Sequence, residues 1–273
     1  MTSLATPVAI AVFDIDGVLR DVGNSYRRAL ADTVEAFTAG QYRPSSEDID
    51  DLKREGRWNN DWEGSQELVY RYFEGQGQGR AALALDYTDI VGFFQRRYRG
   101  PNPDDPDQWT GYITQEPLLV GADYFERLRR DRIAWGFFSG ATRGSARFVL
   151  ERRLELPDPL LVAMEDAPGK PDPTGLLTVV EQLTQRDQLP PDLPVIYAGD
   201  TVADMQTIVQ ATAQAGPQRR WLGVGVLPPH VVLKADSYRQ AYTEDLHRAG
   251  AAAVISQVTE LTADSIAALI APP

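Results

Sequence analysis

Cysteine is absent from this chain. Disulfides and thiolate metal sites are therefore excluded, and any metal must be held by oxygen or nitrogen. Ring nitrogen is scarce as well: His230 and His247 are the two histidines, and neither has a partner at metal-binding spacing. Lysine occupies three positions, Lys53, Lys170 and Lys234, in a chain whose formal net charge is −12. So acidic a balance argues against nucleic acid or an anionic membrane as a standing partner. It leaves a small phosphorylated metabolite open as a ligand, because a metal ion and local dipoles can reverse the sign within one pocket. No apolar run approaches transmembrane length, and Val8–Phe13 is too short for the apolar region of a secretory leader. The expectation is a soluble, cytoplasmic protein with no membrane partner. Internal repeats and low-complexity tracts are also missing.

What is present is a series of short apolar runs separated by helical periodicity. The first, Val8–Phe13, is continuous rather than alternating and stops at an Asp-rich turn. That pattern reads as a strand buried on both faces of a parallel sheet. Comparable runs follow at Ile133–Phe138, Leu160–Met164, Val195–Ala198 and Trp221–Val226, with helical stretches at 142–154, 174–185 and 204–214. A last unit, 243–255, reads as a helix, Gly250 and a short apolar run. Strands alternating with helices predict an α/β, Rossmann-like parallel-sheet core.

The stretch from about Arg20 to Gln115 differs. It has helical periodicity at 26–37, 65–73 and 87–98 but no buried strand, and it closes on the turn-rich segment 101–107. A sheet that breaks off for that long and then resumes is better explained by an inserted domain than by a loop. The expected organisation is a core of 1–19 and 116–273 with an α-helical insert, 20–115.

Ligands of open α/β sheets bind at the carboxyl ends of the strands. Those ends carry Asp14-Ile15-Asp16-Gly17, then Ser139-Gly140, then Lys170 shortly after the third run, then Gly199-Asp200-Thr201-Val202-Ala203-Asp204. Two carboxylates two residues apart on a strand point the same way, and Gly17 permits a sharp turn behind them. Asp14, Asp16, Asp200 and Asp204 gathered together would repel unless a cation neutralised them. Oxygen ligands alone select a hard ion, with Mg²⁺ the usual solution beside phosphate. Ser139 and neighbouring amides can donate to a phosphate at a helix N-terminus, and Lys170 supplies a point charge for phosphoryl oxygens.

This ordered set resembles the four motifs of the haloacid dehalogenase superfamily: DxDG, a strand ending in Ser or Thr, a downstream Lys, and GDxxxD. The resemblance covers about 8–19 and 116–255. It implies that Asp14 attacks phosphorus and forms an aspartyl-phosphate, that Asp16 protonates the leaving oxygen and later activates water, and that Ser139, Gly140 and Lys170 hold the phosphoryl group. It also implies an Mg²⁺ site from the Asp14 side chain, the Asp16 carbonyl and Asp200, with Asp204 ligating or ordering its waters. Dehalogenases and phosphonate-cleaving relatives lack an acid two residues after the nucleophile. Asp16 therefore favours phosphate esters, and disfavours a Schiff-base role for Lys53. The insert matches the helical cap of many relatives, where Arg57, Asn59, Asn60 and Trp62 are candidates to read a leaving group. Asn60 equally suits a helix N-cap, and Trp58 and Trp62 equally suit packing within the insert. Hydrolysis of a small phosphate monoester is the expected activity. A sugar phosphomutase uses the same residues, and a non-catalytic metabolite-binding protein on this fold is the third reading.

Overall fold

Strand β1 (Ala9–Phe13) is buried along its whole length, and its residues divide between two cores. Ala9, Ala11 and Phe13 enter one, and Ile10 and Val12 enter the other, as the two-residue period of a strand requires. The computed structural model describes residues 6–271. The outermost residues of the expected core, 1–5 and 272–273, lie outside the described residues.

After β1 come four helices, α1 (Tyr26–Phe37), α2 (Ser46–Arg54), α3 (Asp61–Gly75) and α4 (Tyr87–Tyr98). The chain then alternates through α5 (Ala122–Arg130), β2 (Ile133–Phe138), α6 (Arg143–Arg147, continued as a π-turn to Arg153), β3 (Leu161–Val162), α7 (Thr174–Arg186), β4 (Val195–Gly199), α8 (Val202–Ala215) and β5 (Trp221–Val226). It ends with α9 (Pro229–Val232), α10 (Asp236–Arg248), β6 (Ala251–Ile255) and α11 (Ala263–Ile270). Two compact units result, one reaching Arg20 and resuming at Leu118, the other spanning Asp21–Pro117.

The first unit is the α/β, Rossmann-like core expected from the sequence. All six strands are parallel, in the order β3-β2-β1-β4-β5-β6. Helices cover both faces: Tyr124, Phe125, Leu128, Val149 and Ile266 pack on one, Leu176, Val179, Leu183 and Ile208 on the other. On the first face the ring of Phe13 meets Phe125 edge-on at 5.7 Å. The third strand shrinks to Leu161–Val162 at the sheet edge. Helix α10 starts at Asp236, ahead of the stretch from 243 that the sequence indicates, and its N-cap, Ala235, offers no side-chain signal of that start. Helices α2, α5 and α11 lie outside the helical stretches read from the sequence.

The second unit is helical. Helix α1 packs on α3 and α4, and Tyr26 stacks obliquely between Tyr98 (4.1 Å) and Phe94 (5.3 Å). Arg27 and the buried Asp50 form an ion pair between α1 and α2. Among the described residues no helix is long and apolar enough to cross a membrane.

Candidate active site

The order of the sheet reverses at β1: β2 and β3 lie to one side, β4 to β6 to the other. Crossovers leaving in opposite directions open a crevice at the carboxyl end of such a strand. Asp14 is the residue there, and its N–H donates to the Ala198 carbonyl (2.8 Å), so β4 fixes the backbone that carries it.

Lys170 reaches Asp14 from the loop after β3. Its Nζ stands 2.9 Å from Asp14 Oδ1 and 2.7 Å from Asp204 Oδ1, and all three residues are buried. The ammonium also lies over the rings of Phe138 (5.0 Å) and Tyr197 (5.4 Å), a partly aromatic cage. Asp204 is saturated with donors. Its Oδ1 accepts from the Tyr197 hydroxyl (2.8 Å) as well as Lys170, and its Oδ2 from the Thr201 N–H (2.9 Å) and hydroxyl (2.6 Å). Thr201 and Asp204 thereby form the capping box that starts α8. Gly199 allows this approach, since a Cβ there would sit 2.4 Å from that of Asp204.

These contacts sort the carboxylates. Burial raises Asp14 from 3.8 to about 7, against the opposing pull of Lys170 and with help from the charges of Asp204 and Asp16. Asp200 is pushed well above the usual carboxylate range by burial and by Asp204 and Asp14. Asp204 goes the other way: burial would raise it, but Lys170, Thr201 and Tyr197 hold it below the usual value. Lys170 is raised, because Asp14 and Asp204 outweigh the cost of burying its charge.

Asp16 follows Asp14 by two residues, and its carboxylate is held by Arg20, whose Nε donates to Oδ1 at 2.6 Å. Gly17, at φ +73°, turns the chain between them. Asp200 stands against that turn, and its backbone carbonyl accepts from the Tyr242 hydroxyl on α10 (3.0 Å). Ser139 is buried beyond β2; its Oγ accepts the Ala141 N–H (3.1 Å), which leaves its O–H free to donate, and Gly140 follows it. Thr142, not Ser139, caps α6.

Asp14, Asp200 and Asp204 offer oxygens that all lie within 4.8 Å of one another. A divalent cation fits the chemistry of this donor set: buried oxygens, two carboxylates raised chiefly by burial and further by neighbouring acids, and one ammonium for three acids. Gly17 marks the cradle, because a Cβ at that position would lie 2.1 Å from Asp200 Oδ2.

The residues 57–62 lie in the helical unit and take up contacts there. Arg57 and the Trp58 N–H both bind Glu55, and Arg57 stacks on Trp58. Asn60 is the N-cap of α3, accepting from the Trp62 N–H (3.0 Å). The Asn59 carbonyl accepts from Lys53, whose ammonium also pairs with Asp61 at 2.7 Å. The indole N–H of Trp62 is enclosed and has no acceptor among the described residues.

Sequence reasoning passed over Tyr197, Thr201, Arg20 and Tyr242. Two carried a signal: a tyrosine inside a doubly buried strand must find a partner for its hydroxyl, and Thr-x-x-Asp before a helix is a capping box.

A sequence model of haloacid dehalogenase-like hydrolases matches residues 8–212. A protein of Phytophthora nicotianae named imidazoleglycerol-phosphate dehydratase is 28% identical over 257 residues, 93% of this chain and 51% of the relative. The chain thus spans about half the length of that relative. Among solved structures, a phosphonoacetaldehyde hydrolase-like protein from Oleispira antarctica aligns with a TM-score of 0.66 at 18% identity, covering 97% of this chain and 94% of the other. A hydrolase from Deinococcus radiodurans, solved with bound phosphate and sodium, aligns with a TM-score of 0.61 at 19% identity, covering 98% and 100%. At these identities the two structures establish the fold.

Proposed function

Because the chain belongs to the haloacid dehalogenase-like hydrolases, we propose that it is an Mg²⁺-dependent phosphatase acting on a small phosphate monoester through Asp14. The observation that carries this reading is the buried Asp14–Lys170–Asp204 ion triad at the switch point of the sheet, with Asp200 against the Gly17 turn. Asp14 attacks phosphorus as the ester P–O bond breaks, and Asp16 gives its proton to the departing oxygen. Water then cleaves the aspartyl-phosphate, with Asp16 accepting its proton, which restores both carboxyl groups. Lys170 faces Asp14 and supports the phosphoryl oxygens, while Ser139 and the amide of Gly140 donate to them. Asp204 keeps Lys170 in place.

The Asp14 and Asp200 side chains and the Asp16 carbonyl would hold Mg²⁺, with Asp204 ordering its surroundings. The bound ion would supply positive charge beside the phosphoryl oxygens and favour the ionised form of Asp14. Asp16 supports an ester over a phosphonate substrate, as does the engagement of Lys53 with Asp61 in the helical unit. We assign substrate choice to the helical unit as a cap, with Arg57, Asn59, Asn60 and Trp62 as candidates.

The test is phosphate release from a panel of sugar, nucleoside, amino-alcohol and imidazole phosphates, the last included because of the relative's name. Native protein and Asp14→Asn are compared with Mg²⁺ and with EDTA. Magnesium-dependent release that Asp14→Asn abolishes is the expected result. Interconversion of sugar phosphates without net release would replace the phosphatase by a mutase. Stoichiometric binding without turnover would replace it by a binding protein.

A further inference from the structure

Arg20 has no place in the four sequence motifs, yet it is the largest completely buried side chain among the described residues. A guanidinium is rarely buried without paired charge, so what it holds is informative. Its Nε lies 2.6 Å and its Nη2 2.5 Å from one oxygen, Asp16 Oδ1. The Asp16 side chain nevertheless retains 24% of its exposure. Both contacts from Arg20 converge on one oxygen of a carboxylate that stays partly open.

The backbone builds this arrangement. The Leu19 and Arg20 N–H groups donate to the Ile15 carbonyl (2.8 and 3.3 Å), and the Gly17 N–H donates to the Arg20 carbonyl (3.0 Å). Residue 20 is thus folded back beside residue 16, and a further bridge ties it to Leu118. Arg20 is not the counter-ion of the acidic cluster as a whole. The cation that bears on Asp14 and Asp200 is Lys170, whereas Asp16 is the site carboxylate that Arg20 grips.

We infer that Arg20 is a positioning residue for the acid–base step, holding Asp16 by Oδ1 so that Oδ2 carries the proton to the leaving oxygen and takes it back from water. This rests on the phosphatase reading above. Each proton transfer is balanced: Oδ2–H loses its proton as the P–O bond breaks, and regains one as water attacks the aspartyl-phosphate.

The experiment follows the pre-steady-state release of the leaving group from a series of alkyl and aryl phosphates by the full chain with Mg²⁺. Native protein, Arg20→Met, Arg20→Lys and Asp14→Asn are compared, with thermal melts to establish folding. A positioned acid matters most for poor leaving groups, so Arg20→Met should slow release from alkyl phosphates by about 10²-fold. Release of p-nitrophenolate, which departs without a proton, should change little. The dependence of rate on leaving-group basicity should steepen, KM should hold, and Arg20→Lys should recover part of the loss. A uniform loss across the series, a loss confined to KM, or native rates in a folded variant would overturn the inference. If Arg20→Met does not fold, Arg20→Lys decides by the same slope. Failure of the native protein to show Asp14-dependent turnover would remove the phosphatase reading and this role with it. Turnover lost in Asp14→Asn but lowered uniformly in the Arg20 variants would remove the positioning role alone.

Discussion

Replacing Gly17 by alanine should damage cation binding by a geometric route that the structure makes quantitative. The added Cβ would lie 2.1 Å from Asp200 Oδ2 and 2.7 Å from its Cγ, where real contacts essentially never fall below 3.0 Å. Asp200 must therefore retreat by at least 0.9 Å, the gap between 2.1 and 3.0 Å. A displacement of about 1 Å in a reacting constellation can cost roughly 10²-fold in rate. A second, separate cost is the backbone: φ is +73° at Gly17, and an L-residue in that region loses roughly 1–2 kcal/mol. Gly216 isolates this second cost, since its φ is +72° and a Cβ there meets nothing within 4 Å. Titrating Mg²⁺ against turnover and against melting temperature separates the two effects. Gly17→Ala should need far more Mg²⁺ for both, while Gly216→Ala should lose stability alone. Equal stability losses with unchanged Mg²⁺ dependence in both variants would refute the placement of Asp200 at a cation site.

Three further outcomes follow from the ion triad. Lys170→Met leaves Asp14 and Asp204 buried without their counter-ion and should destabilise the metal-free protein by about 3–5 kcal/mol, measured by denaturant unfolding, with Mg²⁺ restoring part of it. Tyr197→Phe keeps the ring over Lys170 but removes a donor to Asp204, so stability should fall by roughly 1.5–3 kcal/mol and kcat should fall more than KM rises. The metal-free protein should also lose stability as pH rises. The folded value of Asp14, about 7, exceeds its ordinary 3.8, so the folded state binds protons more tightly than the unfolded chain across that window. This contribution is complete below the lower value and is lost as pH passes the upper one, and Asp200 shifts in the same direction. Melting temperatures with EDTA should decline from weakly acid to weakly alkaline pH, Mg²⁺ should stabilise more at the alkaline end, and Asp14→Asn should flatten the decline.

The parts of the site that were legible in the sequence are those fixed by local pattern. A continuous apolar run ends where its strand ends, so Asp14, Ser139, Asp200 and Asp204 could be placed at one edge of a parallel sheet before any coordinates. The sequence could not reveal which partner each would choose. Asp204 reads as a carboxylate that ligates a cation or orders its waters, and no local pattern announces that Lys170, Tyr197 and Thr201 also donate to its oxygens. Tyr242 stands on α10, and its hydroxyl donates to the Asp200 carbonyl across a long chain separation. Asn60 could have been a ligand residue or a cap; within its unit the side chain caps α3. The start of α10 is not legible in the sequence, because its N-terminus lacks a capping side chain.

The central position of β1 has a consequence for how the chain reaches its native state. Ile10 pairs with Ala134 on one edge and with Val195 on the other, so the strand that carries Asp14 is translated long before either neighbour. Contacts so distant in sequence slow folding, and an apolar strand with two open edges invites pairing with other chains. During synthesis one edge stays open until β4 has emerged. Nascent chains halted between β2 and β4 should therefore be the most prone to aggregate, and the first to recruit a chaperone.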